Sequence, residues 1–225
     1  MRLFVHIPKN AGMTIRRSEL LKHRIIVASS GNHVSQQYTT AVQNTMSKHG
    51  DARGFEHARW RDWRKDLRDT HTAFAVIRNP WDRVASRYWF AKKVIESEKS
   101  AAADYADISS FDAFLDERHK WGGKKYFWHR AIRGWFPAFD HVSDDAGRIQ
   151  CDIIRFECLN YDLCRYFGLD KMTGPRNVTH RKTPLQYQSV YTEKTRQIVA
   201  DWYQKDIDTW GYSFDSGPTR NCLYT

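Results

Sequence analysis

The chain has 225 residues, enough for one domain with a real core, and its 41% hydrophobic and 28% charged content is that of an ordinary folded protein. No stretch approaches 18 apolar residues and residues 1–12 lack a long apolar run, which excludes a membrane span and a secretory leader from the expectation and leaves a cytoplasmic protein. The net charge of +10 asks for an anionic partner, whether nucleic acid, acidic glycan, membrane surface or polyphosphorylated cofactor, and does not choose among them. In chain order, "RLFVHI" (2–7) reads as a buried strand, 13–22 as a helix, "RIIVAS" (24–29) as a second strand and 34–48 as a polar helix. "TAFAVIR" (72–78) is another buried strand, followed by a long helix over 80–97 and an Ala/Ser/Asp-rich loop over 98–110. Helical segments are expected near 110–118 and 124–135, a strand over 147–157 and a helix over 158–167. A Gly/Pro-containing basic loop (174–190) then leads into a final amphipathic helix, 192–208. Strands alternating with helices predict a single α/β domain over 1–225, with a mainly parallel central sheet flanked by helices and a ligand cleft beyond the carboxyl ends of its strands.

The four cysteines, Cys151, Cys158, Cys164 and Cys222, form no CxxC pair and no zinc-spaced cluster, so reduced buried thiols and no metal are expected. Two segments at predicted strand ends look like anion seats. In "FVHIPKNAGMTI" (4–15) a strand runs into a short loop with Lys9 and Gly12, then into a helix whose positive end would face an anion. Lys9 adds a point charge and Thr14 a hydroxyl. The lysine precedes the glycine, so the phosphate loop of ATP and GTP enzymes, GxxxxGK[ST], is absent. In "AVIRNPWDRVASRYWF" (75–90) Asn79 caps a helix and Pro80 suits its first turn. Helical spacing places Asn79, Arg83 and Ser86 on one face beside Arg78, a guanidinium-and-hydroxyl seat for a second phosphate. The aromatics of this helix, Trp81, Tyr88, Trp89 and Phe90, read as core.

"HIPKNAG" followed by "RNPWDRVASRY" resembles the Golgi-type carbohydrate sulfotransferases, with their P-loop-like sulfotransferase fold. The resemblance continues through "CDIIRFECLNYDLCRYFGL" (151–169) and "YTEKTRQIVADWYQKDIDTWGY" (191–212) and so covers most of the chain in the right order. It implies 3′-phosphoadenosine 5′-phosphosulfate (PAPS) as donor and an acceptor hydroxyl, by default on a glycan; phenols, lipids, small metabolites and protein tyrosines are the other acceptors. It implies that Lys9 reaches the oxygen bridging phosphate and sulfate, and that the backbone amides of Asn10, Ala11, Gly12, Met13 and Thr14 cradle the 5′-phosphate. Arg78 and Ser86 are implied for the 3′-phosphate, with Arg181 and Lys182 of the late basic loop "NVTHRKTP" (177–184) as further contributors. Asn10 and Met13 stand where the family has hydroxyl residues, which leaves main-chain contacts there.

In-line sulfuryl transfer needs a base for the acceptor proton, and a lysine can replace the metal of phosphoryl transfer. His57, in "GFEHARWRDW" (54–63), is the first choice, since an ordinary imidazole titrates near pH 6.5. Glu56 is the alternative base or the group that orients His57; His6 supports the loop, and His129 and His180 are weaker candidates. "WRDWRKDLR" (60–68) reads as a basic helix that either buries Trp60 and Trp63 or binds an acidic acceptor. Two rivals stand beside this reading. A nucleotide or small-molecule kinase would need the lysine after the glycine and a metal-holding acid at a strand end. A nucleic-acid-binding protein would account for charge and aromatics, but the charge is spread along the chain and no binding motif is present, so nucleic acid is not the expected partner.

Overall fold

Four short strands rich in apolar and β-branched residues build the centre of the molecule. A computed structural model of the chain describes residues 1–49, 54–96, 107–121, 134–172 and 186–224. In it β1 (Arg2–Val5), β2 (Ile25–Val27), β3 (Ala73–Ile77) and β4 (Cys151–Arg155) form a wholly parallel sheet of order β2-β1-β3-β4. The helices, in chain order, are α1 (Gly12–Arg16), α2 (Gln36–His49), α3 (Lys65–Thr70), α4 (Pro80–Glu96) and α5 (Phe111–Trp121), then α6 (Ala138–Val142), α7 (Leu159–Phe167), α8 (Glu193–Trp202) and α9 (Gln204–Trp210).

Side chains alternate across the sheet, and both faces are covered, as a parallel sheet requires. Leu3, Val5, Ala73, Ala75, Ile77 and Ile153 enter one core with Trp81, Val84, Ala85 and Tyr88 of α4, Phe114 of α5, Val199 of α8 and Trp210 of α9. Phe4, Phe74, Val76 and Ile154 enter the other, closed by Ile15 of α1 and Leu163 of α7. β1 is followed by its neighbour on one side, β2, before the chain crosses to β3 and β4 on the other. The strand order therefore reverses between β1 and β3, and α1 and α4, which leave these strands, lie on opposite faces. A crevice beyond the carboxyl ends of β1 and β3 is where such a sheet binds ligands.

Three expected elements differ. The helix over 13–22 stops at Arg16; Ser18 and Leu21 donate backbone bonds to Ile15 and Ser18, an irregular turn that puts Leu21 in the core beside Ile15. The helix over 192–208 breaks at Tyr203 (φ −115°, ψ 22°) into α8 and α9. The Tyr203 hydroxyl donates to the Trp135 carbonyl at 2.9 Å, and the Asp206 carboxylate accepts from the amides of Ala138 and Phe139 at 2.7 and 2.9 Å, so tertiary contacts set the break. Residues 60–68 are not one helix but a 3-10 turn, Trp60–Asp62, and then α3; the joint buries Trp63, which bridges to Val34. Of the thiols, Cys151 is buried as expected, while Cys158, Cys164 and Cys222 are partly exposed; all four are reduced. Most of the expected helix over 124–135 and part of each expected loop, 98–110 and 174–190, lie outside the described residues. Among the described residues no helix is long and apolar enough to cross a membrane.

Candidate active site

The loop after β1 is held in an uncommon backbone shape. Lys9 and Ala11 are left-handed, with φ of 69° and 61°, a conformation that costs a residue with a Cβ about 1 kcal/mol or more. Three long-range bonds hold it there. Asn10 Nδ2 donates to the Val76 carbonyl (2.8 Å), Arg78 Nη1 to that of Lys9 (2.9 Å) and Arg83 Nε to that of Pro8 (3.2 Å). Asn10 is 1% exposed, so its side chain serves the fold and faces β3. Gly12 is packed against the His6 ring: a Cβ there would lie 1.6 Å from Nε2, so the ring would have to move. Of the five amides expected to cradle a phosphate, those of Asn10 and Thr14 donate to the carbonyls of Ile7 and Ala11. Among the described residues, the amides of Ala11, Gly12 and Met13 donate to no group of the chain. Three amides at the start of a one-turn helix thus stand beside Lys9.

The start of α4 lies next to this loop. As expected, Asn79 caps it: Oδ1 accepts from the amide of Trp81 at 3.0 Å. Its Nδ2 ties down the C-terminal strap through the carbonyls of Ser213 and Ser216 (2.8 and 2.9 Å). Arg78 is not the open fork its sequence context suggests. It is 7% exposed, its Nε and Nη2 donate to Asp82 at 2.9 and 2.7 Å, and its guanidinium lies 4.0 Å from the Phe156 ring centroid. One N–H on each terminal nitrogen lies outside these bonds. Arg83, read as part of the second anion seat, is instead a main-chain clamp: besides Pro8 it donates to the carbonyls of Phe136 (2.8 Å) and Gly134 (3.5 Å). Near Arg83, burial pushes the Asp206 carboxyl up to about 6 against the guanidinium's opposing pull. Ser86 is buried one turn along α4 from Arg83, and Phe90 one turn further. Since Arg83 touches Pro8 and the Lys9 ammonium lies 4.0 Å from the Phe90 ring centroid, the face carrying Arg83, Ser86 and Phe90 runs beneath the loop.

His57 reaches the same edge from a 3-10 turn, Phe55–His57. Tyr38 of α2 holds that turn by donating to the Gly54 carbonyl at 3.1 Å. His57 Nδ1 lies 2.8 Å from the His6 carbonyl, and the two imidazoles are 4.2 Å apart between centroids. A carbonyl can only accept, so Nδ1 carries a proton, and in the neutral ring the lone pair is on Nε2. The histidine is therefore oriented by the backbone of β1's own end and not by Glu56, which is half-buried on the same turn. His141, fully buried close to Arg83, is held neutral: burial drives its pKa well below the usual imidazole value.

The structure brings Lys9, Gly12, Arg78 and His57 together beyond the carboxyl ends of β1 and β3, with Ser86 buried on α4 between Arg83 and Phe90. Arg181, Lys182, His129 and His180 lie outside the described residues. Among the described residues no group of three or more His, Cys, Asp and Glu is placed to hold a metal ion. Sequence reasoning missed Asp82, although its i,i+4 spacing from Arg78 was a usable signal. It also missed Tyr38, whose contact with Gly54 spans 16 residues and leaves no local pattern.

A model of the sulfotransferase family matches residues 3–213. No curated protein matches the chain. Among solved structures, a sulfotransferase from Alicyclobacillus acidocaldarius is similar, with 16% identity, coverage of 92% of each chain and a TM-score of 0.43.

Proposed function

The chain belongs to the sulfotransferase family, and on that premise we propose that it moves a sulfuryl group from PAPS to an acceptor hydroxyl on a glycan, by in-line displacement. The observation that carries this reading is the convergence of two groups on the end of β1. Lys9 follows that strand by four residues, and His57 is bonded through Nδ1 to the His6 carbonyl, which makes Nε2 the nitrogen that would take a proton. The residues present fit the donor. Three amides and an ammonium suit a phosphosulfate, and Gly12 allows the loop to close against His6. Arg78, through the N–H groups that Asp82 and Lys9 leave over, and Ser86 are the proposed 3′-phosphate contacts, joined by Arg181 and Lys182. The glycan assignment rests on the likeness of both motifs to carbohydrate-modifying enzymes, and the net charge of +10 suits an acidic polymer.

PAPS supplies a sulfuryl group on a phosphate leaving group. His57 Nε2 takes the proton of the acceptor hydroxyl as its oxygen bonds to sulfur. Lys9 neutralises the charge that grows on the departing phosphate oxygen, an interaction stronger in the transition state than in the ground state. Glu56, on the same turn, is the proposed substitute base. The loop's left-handed residues, held by Asn10, Arg78 and Arg83, fix the backbone point from which Lys9 projects before substrate arrives.

Calorimetry tests the donor. Adenosine 3′,5′-bisphosphate is expected to bind more tightly than 5′-AMP by about 2–4 kcal/mol, through charge-assisted bonds to its 3′-phosphate. Equal affinities would remove Arg78 and Ser86 from the donor site. Binding of magnesium-ATP alone would favour a kinase, and steeply salt-dependent binding of any oligonucleotide a nucleic-acid protein.

A further inference from the structure

Phe90 departs from the aromatic pattern of its helix. Trp81 and Tyr88 of α4 are buried in the core, but Phe90 is 39% exposed, and its ring faces the Lys9 ammonium at 4.0 Å from the centroid. That separation is well inside the roughly 6 Å over which a cation is drawn to a ring face. Lys9 leaves the backbone from a fixed point, since its residue is left-handed and its carbonyl is held by Arg78. What the backbone cannot fix is the flexible four-carbon stem. The face of α4 that carries Arg83 and Ser86 brings the Phe90 ring under that stem.

We propose that Phe90 is a positioning residue for Lys9: its ring face confines the ammonium to the mouth of the loop, where it meets the leaving group. The proposal rests on the sulfuryl-transfer reading for its consequence, though the contact itself does not. It separates charge–ring attraction from simple apolar bulk, because leucine keeps the bulk without the ring quadrupole and tryptophan strengthens it. Phe90 is exposed, so its replacement opens no core cavity.

The test has two readouts on Phe90→Leu, Phe90→Trp and wild type. Lysines are converted to ¹³C-dimethyl-lysine, which keeps the charge, and Lys9 is assigned by its loss in Lys9→Arg. The Lys9 methyl resonance is expected to be ring-current-shifted in wild type and Phe90→Trp, and unshifted in Phe90→Leu. With unmodified protein, Phe90→Leu should lower kcat on the order of threefold to tenfold while the affinity for adenosine 3′,5′-bisphosphate stays within about twofold. Phe90→Trp should turn over like wild type. An unshifted Lys9 resonance in wild type, or wild-type turnover by Phe90→Leu, overturns the proposal. If no donor and acceptor pair gives turnover, the sulfuryl-transfer reading fails, and the resonance still decides whether Phe90 holds Lys9.

Discussion

At Lys9 the backbone is left-handed and its shape comes from bonds to the main chain, so replacing the side chain leaves the loop's supports intact. Lys9→Ala should therefore lower kcat by about 10²-fold or more while changing the affinity for adenosine 3′,5′-bisphosphate far less, because the charge it meets develops in the transition state. Single-turnover rates and calorimetry on the same variant check this; a loss confined to affinity would reassign Lys9 to ground-state binding. His57 is argued from its tautomer. With Nδ1–H given to the His6 carbonyl, only the neutral ring has a lone pair at Nε2. His57→Ala should cost about 10²–10⁴-fold in kcat, with product binding nearly intact. The wild-type rate should fall as pH drops and the imidazole is protonated. The pH–rate profiles of wild type, His57→Ala and Glu56→Gln check it. An acid limb that survives in His57→Ala would move the base to Glu56 or another histidine.

The loop after β1 and the helix pair α8–α9 show what is fixed by packing between elements. Gly12→Ala would drive a Cβ into the His6 ring, which is itself in contact with His57. The expected loss is about 1–3 kcal/mol of stability, typical of overpacking a filled site, together with reduced turnover. Chemical denaturation checks the first, and wild-type stability in Gly12→Ala would mean that His6 moves at little cost. Asp206 at the start of α9 is raised to about 6 by burial, above the roughly 3.9 of an unfolded carboxyl. The folded chain thus holds this proton more tightly than the unfolded chain does. The linked stability is full below about pH 4 and lost as pH rises through about 6. The stability of wild type relative to Asp206→Asn should therefore fall by roughly 2 kcal/mol between about pH 4 and 7. Unfolding titrations across that range check it, and a pH-independent difference would contradict it. The strands, the Asn79 cap and α4 were legible because local pattern makes them: apolar runs, Asn-Pro, helical spacing. The break at Tyr203 was not, because no glycine or proline marks it and the cause is contact with residues 135–139.

For the molecule as a whole, alternation of strands and helices was enough to give a parallel α/β sheet, and two basic segments at strand ends were enough to point to one edge of it. What each basic residue does there was less legible. Arg83 and Arg78 look alike in sequence, yet the first spends its donors on the carbonyls of Pro8, Phe136 and Gly134, and the second on Asp82 and Lys9. Partners 50 or more residues away leave no local trace, so a guanidinium that clamps main chain and one that meets a ligand read the same. Family membership gives sulfuryl transfer as the class of chemistry; PAPS as donor and a glycan as acceptor are the proposal, resting on the likeness of the two motifs. The most direct measurement is transfer of label from ³⁵S-PAPS to a panel of glycans, phenols, lipids and peptides, run beside Lys9→Ala. The account predicts label on a glycan hydroxyl, appearing in step with adenosine 3′,5′-bisphosphate and reduced at least about 10²-fold in the variant. Label transferred equally well by Lys9→Ala, or no transfer to any acceptor by a protein that binds the bisphosphate, would contradict it.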